Sequence, residues 1–174
     1  FDQVPRIFTA QEWAALEAGL RQRVTALNHF IHDVYHDEAI IKAGIIPGEQ
    51  IYNNAQYRPE MRNVEVPKDI YAQIAGIDIV RAGEGEFYVL EDNLRVPSGV
   101  SYMVEDRKMM MRLFPDLFQR YRVAPVEHYP DLLLECLKTL KPEGIKKPNV
   151  EIGRAHVWTP VTATSRMPSS AWKK

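Results

Sequence analysis

The sequence predicts an α+β fold, an antiparallel β-hairpin set between flanking α-helices. Three observations carry that expectation. Apolar residues recur at helical spacing from Trp13 to Val34 and again beyond Tyr102. Between these stretches, Ile70 to Arg81 and Phe87 to Asn93 are rich in Ile, Val, Tyr and Phe. The intervening Gly83-Glu84-Gly85-Glu86 is the signal of a short hairpin loop.

Taken in chain order, Thr9 followed by Glu12 forms a capping box. Behind it Trp13, Leu16, Leu20, Val24, Leu27, Ile31 and Val34 define one helix from about Ala10 to Tyr35. Asp37 is expected to cap a short second helix that stops at Gly44, and Pro47-Gly48 marks a turn before a further short helical segment. Asn53 to Pro67 is polar, broken by Pro59 and Pro67, and reads as connecting surface. After the two strands, Pro97-Ser98-Gly99 ends the extended run. A helix is expected from about Tyr102 to Leu113, and another opens at Tyr129-Pro130-Asp131 and runs to Leu140 with Pro in its first turn. Lys147-Pro148-Asn149-Val150 reads as the approach to a further strand.

With 174 residues, 45% apolar and 26% charged, the chain has the composition of an ordinary globular domain. Its apolar runs fall far short of the roughly 20 residues of a membrane span, and no signal peptide opens it. A lone cysteine, Cys136, excludes an internal disulfide and a cysteine-built zinc site, which fits a cytoplasmic protein. A net charge of -1 advertises no basic face for nucleic acid. The charge is unevenly spread, because residues 152–174 hold four basic and no acidic residues, leaving 18 Lys and Arg against 23 Asp and Glu in residues 1–151. That tail also lacks any apolar period. Its string Ile-Gly-Arg-Ala-His-Val-Trp-Thr-Pro-Val-Thr, and the closing Ser-Arg-Met-Pro-Ser-Ser-Ala-Trp-Lys-Lys, resemble a reading frame of a sequencing-library adapter with stop codons read as Trp158 and Trp172. The expectation is a domain over residues 1–151, cut from something longer, followed by a non-native tail at 152–174. A native disordered tail is the alternative.

Closing the hairpin through a two-residue loop at Glu84-Gly85 pairs Arg81 with Tyr88, Val80 with Val89 and Asp78 with Glu91. Opposed side chains in an antiparallel pair stand about 4.5 to 5.5 Å apart at Cβ, and like charges there repel unless a cation intervenes. Alternation puts Asn93 on the face of Glu91 and Asp92 on the other. Asp78, Glu91 and Asn93 then offer the hard oxygen donors that suit Mg2+ shared with phosphates, while a solvated acidic face is the plainer reading.

The residues that follow sharpen this. Glu91-Asp92-Asn93-Leu94-Arg95-Val96-Pro97-Ser98-Gly99 resembles the Glu-x-Asn motif of ATP-grasp ligases such as D-alanine:D-alanine ligase. With Ile74 to Arg81 and Tyr88 to Tyr102, it is most similar to the circularly permuted ATP-grasp proteins related to glutathionylspermidine synthase. The resemblance covers most of residues 1–150. It implies a partial ATP-grasp-like domain, with Asp78, Glu91 and Asn93 as ligands to Mg2+ bridging the phosphates of ATP. It further implies a parent enzyme that activates a small-molecule or peptide carboxylate as an acyl-phosphate for attack by an amine. Arg95, with Ser98 and the Gly99 N–H at the start of the next helix, would contact an anion. In many ATP-grasp ligases an Arg stands two residues before the first metal ligand; here that position is Gly76, so its duty falls to Arg81 or Arg95. The family's phosphate-binding lysines and glycine-rich loop would lie beyond residue 151, so this chain alone is expected to be catalytically silent. The rival reading is a non-catalytic interaction module that keeps the fold.

Other candidates weigh less. His29, His32 and His36 lie close to one helical face and could ligate a metal. Met109-Met110-Met111 reads as helix core and flank, and Cys136 as a buried small hydrophobe with no base beside it. Tyr57-Arg58 and Arg62 are a possible substrate contact within a solvated loop.

Overall fold

The computed structural model describes residues 4–95, 97–141 and 144–150. Helix α1 (Ala10–Tyr35) begins at the expected capping box. The Thr9 hydroxyl accepts from the Glu12 N–H at 3.2 Å, and a Glu12 carboxylate oxygen accepts from the Thr9 N–H at 2.9 Å. Helix α2 (Ala39–Lys42) follows, but Asp37 does not cap it. The carboxylate of Asp33, one turn back on α1, accepts from the N–H groups of Ala39 (2.8 Å) and Ile40 (2.9 Å). The chain reverses tightly at Glu38, whose φ is 54°, and this brings the first α2 donors back over Asp33. Helix α3 (Gly48–Tyr52) is the short segment expected after Pro47.

Residues 53–75 are irregular, with 3-10 turns at Pro59–Met61 and Pro67–Asp69. They are nonetheless pinned to α1. The Tyr35 ring stacks on Tyr57 at 5.3 Å and on Tyr71 at 6.3 Å, and its hydroxyl accepts from the Arg58 N–H at 3.1 Å. Arg62 donates to Glu38 at 2.7 Å. Ile70 to Ala75 does not join the first strand as expected, and the reason is a side chain. Asn28, buried within α1, accepts from the N–H groups of both Tyr71 (2.8 Å) and Ala72 (2.9 Å) and donates to Val24 C=O at 3.0 Å. Consecutive N–H groups of an extended strand point to opposite sides, whereas these two converge on one side-chain oxygen of α1, which breaks the strand geometry here.

The sheet is a two-stranded antiparallel hairpin of β1 (Gly76–Gly83) and β2 (Glu86–Asn93). Its loop is the two residues Glu84 and Gly85 between the paired Gly83 and Glu86. Asp78 pairs with Glu91 as expected, and Gly76 with Asn93, but Val80 faces Tyr88 and Arg81 faces Phe87. The expected pairings of Val80 with Val89 and of Arg81 with Tyr88 are therefore corrected. Two one-residue bulges cause the difference: Ala82 is the extra residue on β1 and Leu90 the extra residue on β2. Lying on opposite strands, they cancel, so the register at both ends is that of an unbroken ladder.

Helix α4 (Val100–Leu113) starts two residues earlier than the sequence suggested. Helix α5 (Pro115–Arg120), which the reading above did not anticipate, starts at a Pro that cannot continue α4, after Phe114 has left helical geometry. Helix α6 (Tyr129–Lys138) carries Pro130 in its first turn, and its Cys136 thiol, half-buried, approaches the Gln73 C=O at 3.5 Å. Lys147 to Val150 holds no strand among the described residues. Residues 152–174, and with them the tail expectation, lie outside the described residues.

Among the described residues, the buried apolar side chains are Leu16 and Val34 on α1 and Ala72 in the segment before β1. No helix among them is long and apolar enough to cross a membrane.

Candidate metal and anion site on the hairpin

The hairpin has two unlike faces. Ile79, Phe87 and Val89 look toward α1 across an apolar groove of about 560 Å³ that Leu16, Leu20 and Ala26 also line. Ion pairs close the gap at two points. Arg81 pairs with Glu12, its Nη1 donates to Ile7 C=O at 3.2 Å, and its guanidinium lies over the rings of Phe8 (5.3 Å) and Phe87 (5.6 Å). Arg23 grips Asp92 with two parallel bonds of 2.7 and 2.6 Å. The partners draw Glu12 and Asp92 below the usual carboxylate range. For Glu12 the leading cause is the hydrogen bond from the Thr9 backbone, ahead of Arg81, and for Asp92 it is the Arg23 hydrogen bond.

The other face is open. Val80 (47% exposed), Tyr88 (62%) and Leu90 (72%) stand on it, and beyond them are Asp78, Glu91 and Asn93. The structure brings these three together: Asp78 is cross-strand from Glu91, and Asn93 donates its Nδ2 to Glu91 Oε1 at 3.0 Å. Asp78 is pushed above the usual carboxylate range, first by sharing a hydrogen bond with Glu91, then by burial and by the Glu91 charge. Two opposed carboxylates beside an amide are the kind of oxygen donors that a hard divalent cation takes. Among the described residues no group of three or more His, Cys, Asp or Glu side chains is arranged for a metal. Two carboxylates and an amide match instead a cation that takes its remaining oxygens from elsewhere.

The segment after β2 folds back onto this corner. A Cβ placed on Gly76 would lie 2.7 Å from Pro97 Cβ and 3.5 Å from Asn93 Cβ, so the missing side chain is what lets Pro97 seat against the strand beside Asn93. An arginine at position 76 would displace it. Ser98 and Gly99 therefore start α4 close to the end of the hairpin. Gly99, at φ 105°, takes the N-cap position with a backbone that side chains disfavour, and no side chain caps α4. Its first-turn N–H groups are thus open to an anion. Ser98 and Arg95 are exposed, and Arg95 forms no ion pair among the described residues. Arg81, by contrast, is on the α1 side of the hairpin, engaged with Glu12, and is not brought to Asp78, Glu91 and Asn93.

The remaining candidates resolve structurally. His29 is exposed, whereas His32 and His36 stack at 4.1 Å beneath the Tyr71 hydroxyl, so the three histidines do not converge. Met109 and Met111 are 46% and 44% exposed and Met110 is half-buried, which makes the run a helix flank more than core. Tyr57 is packed on Tyr35, and Arg62 is held by Glu38, so the loop is a scaffold for α1. Two determinants escaped sequence reasoning. Asn28 had a signal, a polar residue amid the apolar stripe of Val24, Leu27 and Ile31. Arg23, one of two arginines on α1, had none.

Comparison with known proteins places the chain in a family. The chain matches the family described as a circularly permuted ATPgrasp over residues 5–160. It is 42% identical over 151 residues to an uncharacterized protein of Synechocystis sp., covering 87% of this chain and 31% of that protein. An uncharacterized protein of Mycobacterium tuberculosis is 40% identical over 151 residues, covering 87% and 27%. A Frankia casuarinae protein named "Putative glutamate--cysteine ligase 2-2" is 42% identical over 142 residues, covering 82% and 16%. The chain spans about a third or less of the length of these relatives. With the family match running through the hairpin, the Asp78, Glu91 and Asn93 corner and α4, the chain belongs to the circularly permuted ATP-grasp family.

Proposed function

We propose that the longer protein of which this domain forms part is an ATP-dependent carboxylate–amine ligase, and that this chain supplies the magnesium corner of its nucleotide site. The observation that supports this most is the pairing of Asp78 with Glu91 on the open hairpin face, with Asn93 hydrogen-bonded alongside. These three residues would hold Mg2+. When bound, the ion would neutralise phosphate oxygens of ATP. Around it the chain's own groups have separate tasks. The carboxylates of Asp78 and Glu91 set the site's charge, and Asn93 orients Glu91 through its amide. Arg95 and the α4 first-turn N–H groups, with Ser98, would receive an anionic oxygen of the nucleotide or of the carboxylate substrate. Arg95 takes this role in preference to Arg81, whose guanidinium is already committed to Glu12, Ile7 and two rings. Small-molecule or peptide carboxylates and amines are the substrate class, and an ATP-consuming enzyme with a reduced lone thiol fits the cytoplasm. A ligase name on the Frankia relative supports the same reaction type.

The test is made on the full-length protein. Amine-dependent release of ADP, lost in Asp78→Ala, is expected. Absence of Mg2+-dependent ATP binding would leave the chain a non-catalytic interaction module with an ATP-grasp fold.

A further inference from the structure

We infer that Arg23 and Asp92 are positioning residues for the site, with the Leu90 bulge as the device they lock; this rests on the reading of Glu91 and Asn93 as metal ligands. Asp92 lies between the two, and strand alternation turns its side chain to the opposite face. There it is 18% exposed and held by both arms of the Arg23 guanidinium, the strongest geometry an arginine–carboxylate pair offers. The contact bears on the local phase of β2, beside the ladder itself. Phe87 and Val89 must face α1, and Glu91 and Asn93 must face away, although all four share one parity. Leu90, unpaired and 72% exposed, absorbs the half-step. A bulge can migrate along a strand, and a shift of one residue would turn Glu91 and Asn93 toward α1. Between α1 and the hairpin lies an apolar groove, not an interlocked core, so packing alone does not prevent this slip. The fork on Asp92 does, because it is made only when Asp92 faces α1.

The experiment uses the full chain and Mn2+ alone as the probe, followed by electron paramagnetic resonance. Arg23→Met and Asp92→Asn are each expected to weaken Mn2+ binding roughly tenfold, the scale of losing a residue that orients metal ligands. The swap of Arg23→Asp with Asp92→Arg should restore most of it, and the local pattern of amide exchange separates positioning from loss of bulk stability. Amide exchange should speed at Glu91 to Asn93 and stay unchanged at Phe87 to Val89. Unchanged Mn2+ affinity in both single variants overturns the inference. If wild type binds no Mn2+ that Asp78→Asn removes, the metal reading fails separately. The positioning role is then decided by exchange alone, faster exchange at Glu91 to Asn93 supporting it and unaltered exchange overturning it. Should Arg23→Met not fold, Arg23→Lys keeps the charge without the fork and carries the same comparison.

Discussion

Replacing Asn28 by Ala tests how the helix fixes the start of the site-bearing strand. The side chain is 8% exposed and makes three hydrogen bonds, accepting from the Tyr71 and Ala72 N–H groups and donating to Val24 C=O. Truncation strands the Ala72 donor in a residue that is only 7% exposed, which costs about 2 kcal/mol for an unsatisfied buried group. The Tyr71 donor is half-buried and adds about 1 kcal/mol, since water reaches it more readily. The better helix propensity of Ala returns about 0.5 kcal/mol. The net loss is about 2 to 3 kcal/mol, a shift of roughly 30- to 150-fold in the folding equilibrium. Urea unfolding followed by far-ultraviolet circular dichroism measures it, with a lowered midpoint at constant slope as the expected result. A loss below about 0.5 kcal/mol would show that the Tyr71–Ala72 backbone is not held by α1, and the account of why β1 begins at Gly76 would fall with it.

Asp78→Asn should raise the thermal midpoint at pH 7 by no more than about 2 °C while removing any response to Mn2+, because both carboxylates are exposed and their repulsion is screened. The sign follows from the raised proton affinity of Asp78: its stabilising contribution is complete below the ordinary carboxylate range and disappears as pH climbs through the raised value, so the variant's advantage should vanish below about pH 4 in a melting series. Asp92 is opposite, drawn down by Arg23, and Asp92→Asn should cost stability at pH 7 and cost nothing once acid has protonated the wild-type side chain. Gly76→Ala drives a methyl group to 2.7 Å from Pro97 Cβ and should destabilise by about 1 to 3 kcal/mol in urea unfolding, because Pro97 has to move off the strand. Arg81→Met should lower the melting midpoint by about 2 to 4 °C and leave Mn2+ affinity unchanged, since its contacts are with α1 and the N-terminal segment.

Much of the fold was legible because local chemistry decided it. The Thr9–Glu12 box and the apolar stripe set both ends of α1, and Glu84-Gly85 set the hairpin loop. Where the sequence reading failed, a partner distant in sequence or a backbone reversal took over a local signal. Asp37 looked like the cap of α2, but the left-handed turn at Glu38 handed that role to Asp33. Ile70 to Ala75 had strand composition, but Asn28, more than 40 residues earlier, claimed its N–H groups. Strand propensity is a statement about side chains on a pleated surface, and it cannot report that the backbone donors are already taken.

The pairing of Asp78 with Glu91 was read correctly through a register that was wrong in its middle, and the cause lies in the two bulges. Counting from the loop, the extra residue at Ala82 alone would set Asp78 opposite Leu90 and carry Glu91 to Ile77. The extra residue at Leu90 reverses the shift just before the carboxylates meet. A signal for this second bulge was present in the sequence. Phe87 and Val89 are the apolar residues β2 has to turn toward α1, whereas Glu91 and Asn93 are the polar ones it has to turn away, and all four are odd-numbered. A strand of strict period 2 cannot satisfy both demands. On β1 there is no such conflict, since Ile77, Ile79 and Arg81 share one parity and Asp78 and Val80 the other. The parity clash therefore places the irregularity on β2, between Val89 and Glu91, where Leu90 is found. A phase change between an apolar and a polar half of one strand is thus evidence for a bulge, and here the half beyond it carries the candidate metal ligands.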